Sequence, residues 1–243
     1  MPLYDADAQL YGYVDQQLSW AISPAYDYAD GFSNGLAIVS NENGFGIIDN
    51  TGKIRLATVS YLIIRSDSIF ASIRGGALRV YDNELNLISV TALDGAQVKL
   101  TGDYIVLSRS DSETLIDAHG TELFSLPAGA GISSAGDGLF IVREGDWATC
   151  SVTLRQRDGT ILSREFASIY RLDGDRLAYS LPDEDGFVHY GLMANDGSLV
   201  TDALYDSLVC VTDGMYCADI STGAVLVDSS GSIMNTFKAA ERD

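Results

Sequence analysis

The chain has 243 residues, 47% apolar and 20% charged, which is enough apolar material for a packed core and too little charge for a disordered chain. Fifteen Lys and Arg against 34 Asp and Glu leave a net charge of −19, which repels phosphate backbones and anionic headgroups and argues against nucleic acid and membrane partners. No stretch approaches the roughly 20 apolar residues of a membrane-spanning helix, and the opening Met1-Pro2-Leu3-Tyr4-Asp5 lacks the basic and apolar regions of an export signal.

Taken in chain order, a strand, a tight turn and a second strand recur at Val14-Asp15-Gln16-Gln17-Leu18, Ile48-Asp49-Asn50-Thr51-Gly52, Tyr81-Asp82-Asn83-Glu84-Leu85 and Ile116-Asp117-Ala118-His119-Gly120. Three more copies follow at Gln156-Arg157-Asp158-Gly159, Ala194-Asn195-Asp196-Gly197 and Val227-Asp228-Ser229-Ser230-Gly231. Asp caps such a turn with its own side chain, and Gly accepts the positive φ that closes the hairpin, so turn chemistry accounts for these acids. Between the turns runs a second apolar strand, as in Leu36-Ala37-Ile38-Val39, Tyr104-Ile105-Val106-Leu107 and Leu139-Phe140-Ile141-Val142. Continuous apolar runs of this length imply burial on both faces, as in sheets stacked between neighbouring sheets.

Each unit offers four short strands, a to d, within roughly 35 residues, and almost nothing is left for helix. The pattern predicts an all-β fold, a seven-bladed β-propeller, with a single repeat domain over 1–243 divided near 1–23, 24–58, 59–92, 93–127, 128–166, 167–204 and 205–243. The first unit begins at its b strand, so the tail at 239–243 is expected to supply the missing a strand and close the ring. An open β-solenoid-like array is the alternative.

Tyr11-Gly12-Tyr13-Val14-Asp15, Ala25-Tyr26-Asp27, Phe32-Ser33-Asn34-Gly35-Leu36-Ala37 and Phe45-Gly46-Ile47-Ile48-Asp49 together resemble the bacterial WG-repeat family, and Tyr190-Gly191-Leu192 and Leu204-Tyr205-Asp206 repeat the pattern later. Between about 60 and 185 only turn spacing and strand pattern persist. The resemblance implies a propeller-like or solenoid fold, often exported or joined to other domains, so an extracellular or cell-surface setting is favoured over a cytoplasmic one. It implies no common activity and no catalytic residues.

The chemistry-bearing residues are few. His119 sits inside a turn, His189 has no partner legible in the sequence, and no nucleophile elbow, zinc-protease helix or phosphate loop is present. No enzymatic activity, cofactor or metal is therefore expected, with a glycan-acting hydrolase or a structural spacer of an envelope protein as alternatives to a recognition or adhesion module.

Two units exceed the repeat length. Four or five residues are inserted between strands b and c at Glu144-Gly145-Asp146-Trp147-Ala148 and at Pro182-Asp183-Glu184-Asp185-Gly186. In a propeller these loops share one face with the d-to-a connections, so Asp146, Trp147, Asp183 and Asp185 are the candidate contacts for a protein, peptide or glycan ligand. The run from Asp183 to Gly186 superficially resembles a calcium loop but lacks the full ligand series. Cys150 reads as a buried small hydrophobe. A two-residue turn at Asp213-Gly214 would set Cys210 opposite Cys217, where either a disulfide or, as the preferred reading, two free thiols would stand.

Overall fold

A computed structural model describes residues 1–146 and 150–238, with the backbone alone at Thr58. Every regular element among the described residues is a strand, and no helix long and apolar enough to cross a membrane is present among them. Contacts cluster into two compact units, residues 1–109 with 116–122 forming one and the remainder the other.

In the first unit, β1 (Pro2–Asp5), β2 (Leu10–Val14) and β3 (Trp20–Tyr26) form one antiparallel sheet in chain order. The next consists of β4 (Tyr28–Ala29), β5 (Leu36–Asn41), β6 (Gly44–Asp49) and β7 (Ile54–Ser60), followed by β8 (Leu62–Arg65), β9 (Ile69–Arg74), β10 (Ala77–Asp82) and β11 (Leu87–Ala92). β12 (Gln97–Thr101) pairs with β13 (Tyr104–Ser108) in the same unit, and β14 (Ser112–Ile116) and β15 (Glu122–Pro127) fall where the chain passes between units.

The second unit holds β16 (Gly131–Gly136), β17 (Leu139–Glu144) and β18 (Ser151–Gln156) in one sheet. β19 (Ser168–Arg171), β20 (Arg176–Pro182) and β21 (Val188–Ala194) form a second, and β22 (Ser207–Thr212), β23 (Met215–Ile220), β24 (Gly223–Asp228) and β25 (Ile233–Lys238) a third. Small antiparallel meanders of sequence neighbours, repeated along the chain, are the building plan of propeller blades, and the repeat fold is propeller-like. The expected closing strand at 239–243 lies outside the described residues.

The doubly apolar strands are buried on both faces, as their composition requires. On β5, Leu36 and Ile38 pack with Ile47, Ile63 and Phe70 toward the following sheet. Ala37 and Val39, one residue out of phase, pack with Tyr13 and Ile48 toward the preceding one. In the second unit Leu177 and Tyr179 join the cluster of Val152, Leu154 and Phe166, while Ala178 and Leu192 join that of Leu208, Tyr216 and Val225. Each fully buried side chain of this size contributes about 1.5–3 kcal/mol, so stability resides in sheet-on-sheet packing within each unit.

The repeat turns close as their sequence predicts. Asp49 Oδ1 accepts the N–H of Thr51 and Lys53, and Asp82, Asp117 and Asp228 accept the corresponding pairs. The turn glycine also carries packing. A Cβ at Gly231 would lie 2.7 Å from Thr201 Cγ2 and one at Gly120 2.8 Å from Thr91 Oγ1, so each turn lies against the last segment of the preceding repeat.

Four strands per unit are not found everywhere. In the units at 128–166 and 167–204 the fourth position is reduced to isolated bridges, Val152 to Phe166 and Arg155 to Ile161, and Met193 to Leu199 and Tyr190 to Tyr205. The reason is local. Leu154 N donates to Ser163 Oγ and Leu192 N to Thr201 Oγ1, both at 2.9 Å, so a side-chain hydroxyl takes the place of a strand carbonyl in each.

Candidate functional site

The insertion at 183–187 is a further copy of the repeat's own turn. Asp183 Oδ1 accepts the N–H of Asp185 at 2.9 Å and of Phe187 at 2.8 Å, and Gly186 takes a φ of 87°. Asp183 is thus committed through one oxygen to holding its loop, while Asp185 is exposed. Burial works against ionisation of Asp183, but the hydrogen bonds from Phe187, His189 and Asp185 prevail and hold its pKa below the usual carboxylate value.

Its second oxygen lies 3.2 Å from Nε2 of His189, whose Nδ1 lies 3.3 Å from Oδ1 of Asp206. The imidazole is bracketed by two carboxylates, one from the b-to-c turn and one from the d-to-a connection. Phe187 and Leu204, 68% and 66% exposed, lie in these same two segments. The sequence shows no partner for His189 because Asp206 reaches it through the fold. His119, by contrast, is an exposed turn residue, as its position indicates.

Asp146 is exposed and lines a hollow of about 320 Å³ with Pro127, Ala128, Gly129, Ala130 and Gly145. Beside it Glu144 is ion-paired with Arg155. Trp147 lies outside the described residues. A second hollow, of about 400 Å³, opens at the corresponding edge in the first unit, between the β5–β6 turn, the end of β7 and the end of β9. Tyr61, Arg74 and Glu42 line it, and sequence reasoning did not single them out. The missed signal was Tyr61 standing where other repeats have the Asp of their Tyr-Asp pair.

On the opposite edge a hollow of about 360 Å³ is lined by Asp49, Asn50, Arg55 and Asn83, with Asn34 and Glu84. There Asp49 is engaged in its turn and 3.9 Å from Arg55, and Asn83 Nδ2 donates to the carbonyl of Asp67.

Asp173, Cys210 and Asp213 place potential ligand atoms within 4.8 Å of one another. The carboxylate of Asp173 is nonetheless fully subscribed. Oδ1 accepts Asp175 N and Arg176 N, and Oδ2 accepts Gly214 N at 3.0 Å and the Tyr216 hydroxyl at 2.5 Å. This is a latch between successive a-to-b turns, with no lone pair left for a cation.

Cys210 and Cys217 do not face each other. An irregularity between Cys210 and Thr212 shifts the register, so Cys210 pairs with Tyr216 and Cys217 with Val209, which turns the thiols to opposite faces of the sheet. All three cysteines are free, and neither Cys150 nor the other two is fully buried. Burial, together with the charges of Asp173 and Asp213, raises the pKa of Cys210.

In-sequence meanders, packed sheet on sheet and closed by Asp and Gly turns, define an all-β repeat protein of propeller-like build. Within it, residues 11–44 match the family model described as WG containing repeat, the stretch that holds Tyr11-Gly12-Tyr13 and Phe32-Ser33-Asn34-Gly35. No curated protein matches the chain. Among solved structures it is similar to Kluyveromyces lactis Hsv2 with a complete loop 6CD, at 14% identity over 71% of this chain and 60% of that one, with a TM-score of 0.39. For a second structure of Kluyveromyces lactis Hsv2p the values are 15%, 82%, 73% and 0.43, and for BamB from Moraxella catarrhalis 14%, 84%, 71% and 0.38.

Proposed function

We propose that this chain is a non-catalytic recognition module that holds a protein, peptide or glycan ligand at the edge of its sheets bearing the b-to-c turns and d-to-a connections. The observation that carries the reading is where the repeat departs from itself. The sequence between β17 and β18 and that between β20 and β21 exceed the repeat's length, and these two connections, with the replacement of a repeat Asp by Tyr61, belong to this type of edge. Departures from a repeat's minimum are where contacts are added to a scaffold.

The distribution of spare groups supports it. Turn acids on the opposite edge are consumed by their own backbone, as at Asp49, Asp82 and Asp228. On the b-to-c edge Phe187 and Leu204 present apolar surface that contributes little to the core.

The test is a screen of the protein on arrays of glycans and envelope proteins, with glycan turnover measured in parallel. Saturable binding without turnover is expected. Turnover abolished by one carboxylate substitution would instead establish a hydrolase, and absence of any saturable ligand would leave a structural spacer.

A further inference from the structure

The hollow between the β5–β6 turn and the ends of β7 and β9 is built from a repeat position put to a different use. Four corresponding residues, Asp27, Tyr61, Ala167 and Asp206, each donate a backbone N–H to a carbonyl near the end of the adjacent b strand: Ser40, Ile73, Ser180 and Asp219. The backbone contact fixes the d-to-a connection whatever the side chain. Asp or Ala suffices at three of the four, so nothing in the fold calls for an aromatic at 61. Tyr61 is 83% exposed and buries almost nothing.

Beside it the same hollow offers planar polar groups. Arg74 follows Ile73, the residue that takes the Tyr61 N–H, and its exposed guanidinium has no partner among the described residues. Glu42 and Asn43 form the two-residue turn that makes the other wall. The floor is fixed: a Cβ at Gly44, where φ is 124°, would stand 2.5 Å from the carbonyl oxygen of Ser60, so turn and connection lie in direct backbone contact. At about 400 Å³ the space falls in the range of small-ligand clefts.

We infer that this hollow is a subsite for a neutral pyranose ring of a glycan, with Tyr61 as the stacking face and Arg74, Glu42 and Asn43 as partners for the ring hydroxyls. A pyranose has an apolar C–H face and a rim of vicinal hydroxyls, and it needs one exposed aromatic face with planar donors and acceptors around it. Glu42 and the net charge of −19 disfavour polyanions, and the lack of a deep apolar slot disfavours a peptide anchored by a large side chain. The inference rests on the recognition reading in placing the ligand on this edge, and it names the ligand class.

Saturation-transfer NMR on the intact protein with cellotetraose, chitotetraose and mannotetraose at up to about 10 mM tests it, since single-subsite affinities lie near the millimolar range. Transfer to the C–H protons of at least one oligosaccharide is expected. It should vanish in Tyr61→Ala, persist in Tyr61→Phe, weaken about tenfold in Arg74→Ala and stay unchanged in Glu84→Ala on the opposite edge. Because Tyr61 is exposed, an unchanged melting curve in the Ala variant shows that the loss is local. Transfer from none of the three, or transfer that survives Tyr61→Ala, overturns the subsite. An array hit indifferent to Tyr61→Ala removes this site and leaves the recognition reading standing.

Discussion

Gly191 and Tyr179 stand directly opposite each other on β21 and β20, and the tyrosine ring fills the space that a side chain at 191 would need: a Cβ there would lie 2.6 Å from Cζ. The hydroxyl of Tyr179 then reaches the carbonyl of Thr201 at 2.7 Å. The aromatic-Gly signature thus has a mechanical reason in this repeat. The glycine lets a buried ring lie flat on the neighbouring strand and bond to the segment beyond it. Gly12 shows the same economy, with Trp20 Cζ3 2.8 Å from where its Cβ would be.

Gly191→Ala is therefore expected to destabilise the protein by about 1–3 kcal/mol, because a ring held by packing on one side and a hydrogen bond on the other has little room to move. Urea unfolding read by tyrosine fluorescence measures this. An unchanged midpoint would mean that the ring relaxes freely.

The Asp173–Tyr216 latch predicts both a stability effect and a pH dependence. Tyr216→Phe removes a hydrogen bond to a charged group and should cost about 1.5–3 kcal/mol. Burial opposes ionisation of Asp173, yet the bonds from Tyr216, Gly214, Asp175 and Arg176 outweigh it and lower its pKa. A carboxylate depressed on folding stabilises the native state above its unfolded pKa and loses that contribution as pH falls through the folded value. Melting temperature should fall as pH drops below about 4, the ordinary carboxylate range, and less steeply in Tyr216→Phe. Equal slopes would show that the latch does not contribute.

Asp183→Ala should open its turn while leaving the sheet intact. Two backbone N–H groups lose their acceptor, at about 0.5–1.5 kcal/mol each, on an exposed loop. Hydrogen exchange is expected to accelerate at Asp185 and Phe187, with no change at Leu177 or Leu192. Acceleration across the whole second unit would instead make the turn part of the cooperative core.

Thiol titration under denaturing, non-reducing conditions should find three free thiols, given the register that separates Cys210 from Cys217. A count of one would mean that the strands pair one residue away from the observed register.

What the sequence made legible was local. The turns at Asp49, Asp82, Asp117 and Asp228 depend on residues two and four positions away, and the apolar runs on β5 and β17 report burial on both faces by composition alone. The same chemistry went unrecognised at Asp183 because its turn lies between strands b and c rather than c and d. The hydroxyls of Ser163 and Thr201 look like any loop hydroxyls until their acceptor role in a ladder is seen. Asp173 with Tyr216, and His189 with Asp206, are separated by 43 and 17 residues, and no local rule joins them. Tyr61 was visible only as a break in a repeat that had faded around it.

The most direct measurement compares ligand binding by two sets of variants against the parent protein. One set alters b-to-c edges, at Tyr61 in the first unit and at Asp146 and Asp185 in the second, and the other alters the opposite edge of the first unit at Asn50, Asn83 and Glu84, each residue replaced by Ala. Loss of the array hit in the first set with retention in the second is the predicted result. Retention in the first set with loss in the second would contradict the placement of recognition on the b-to-c edge.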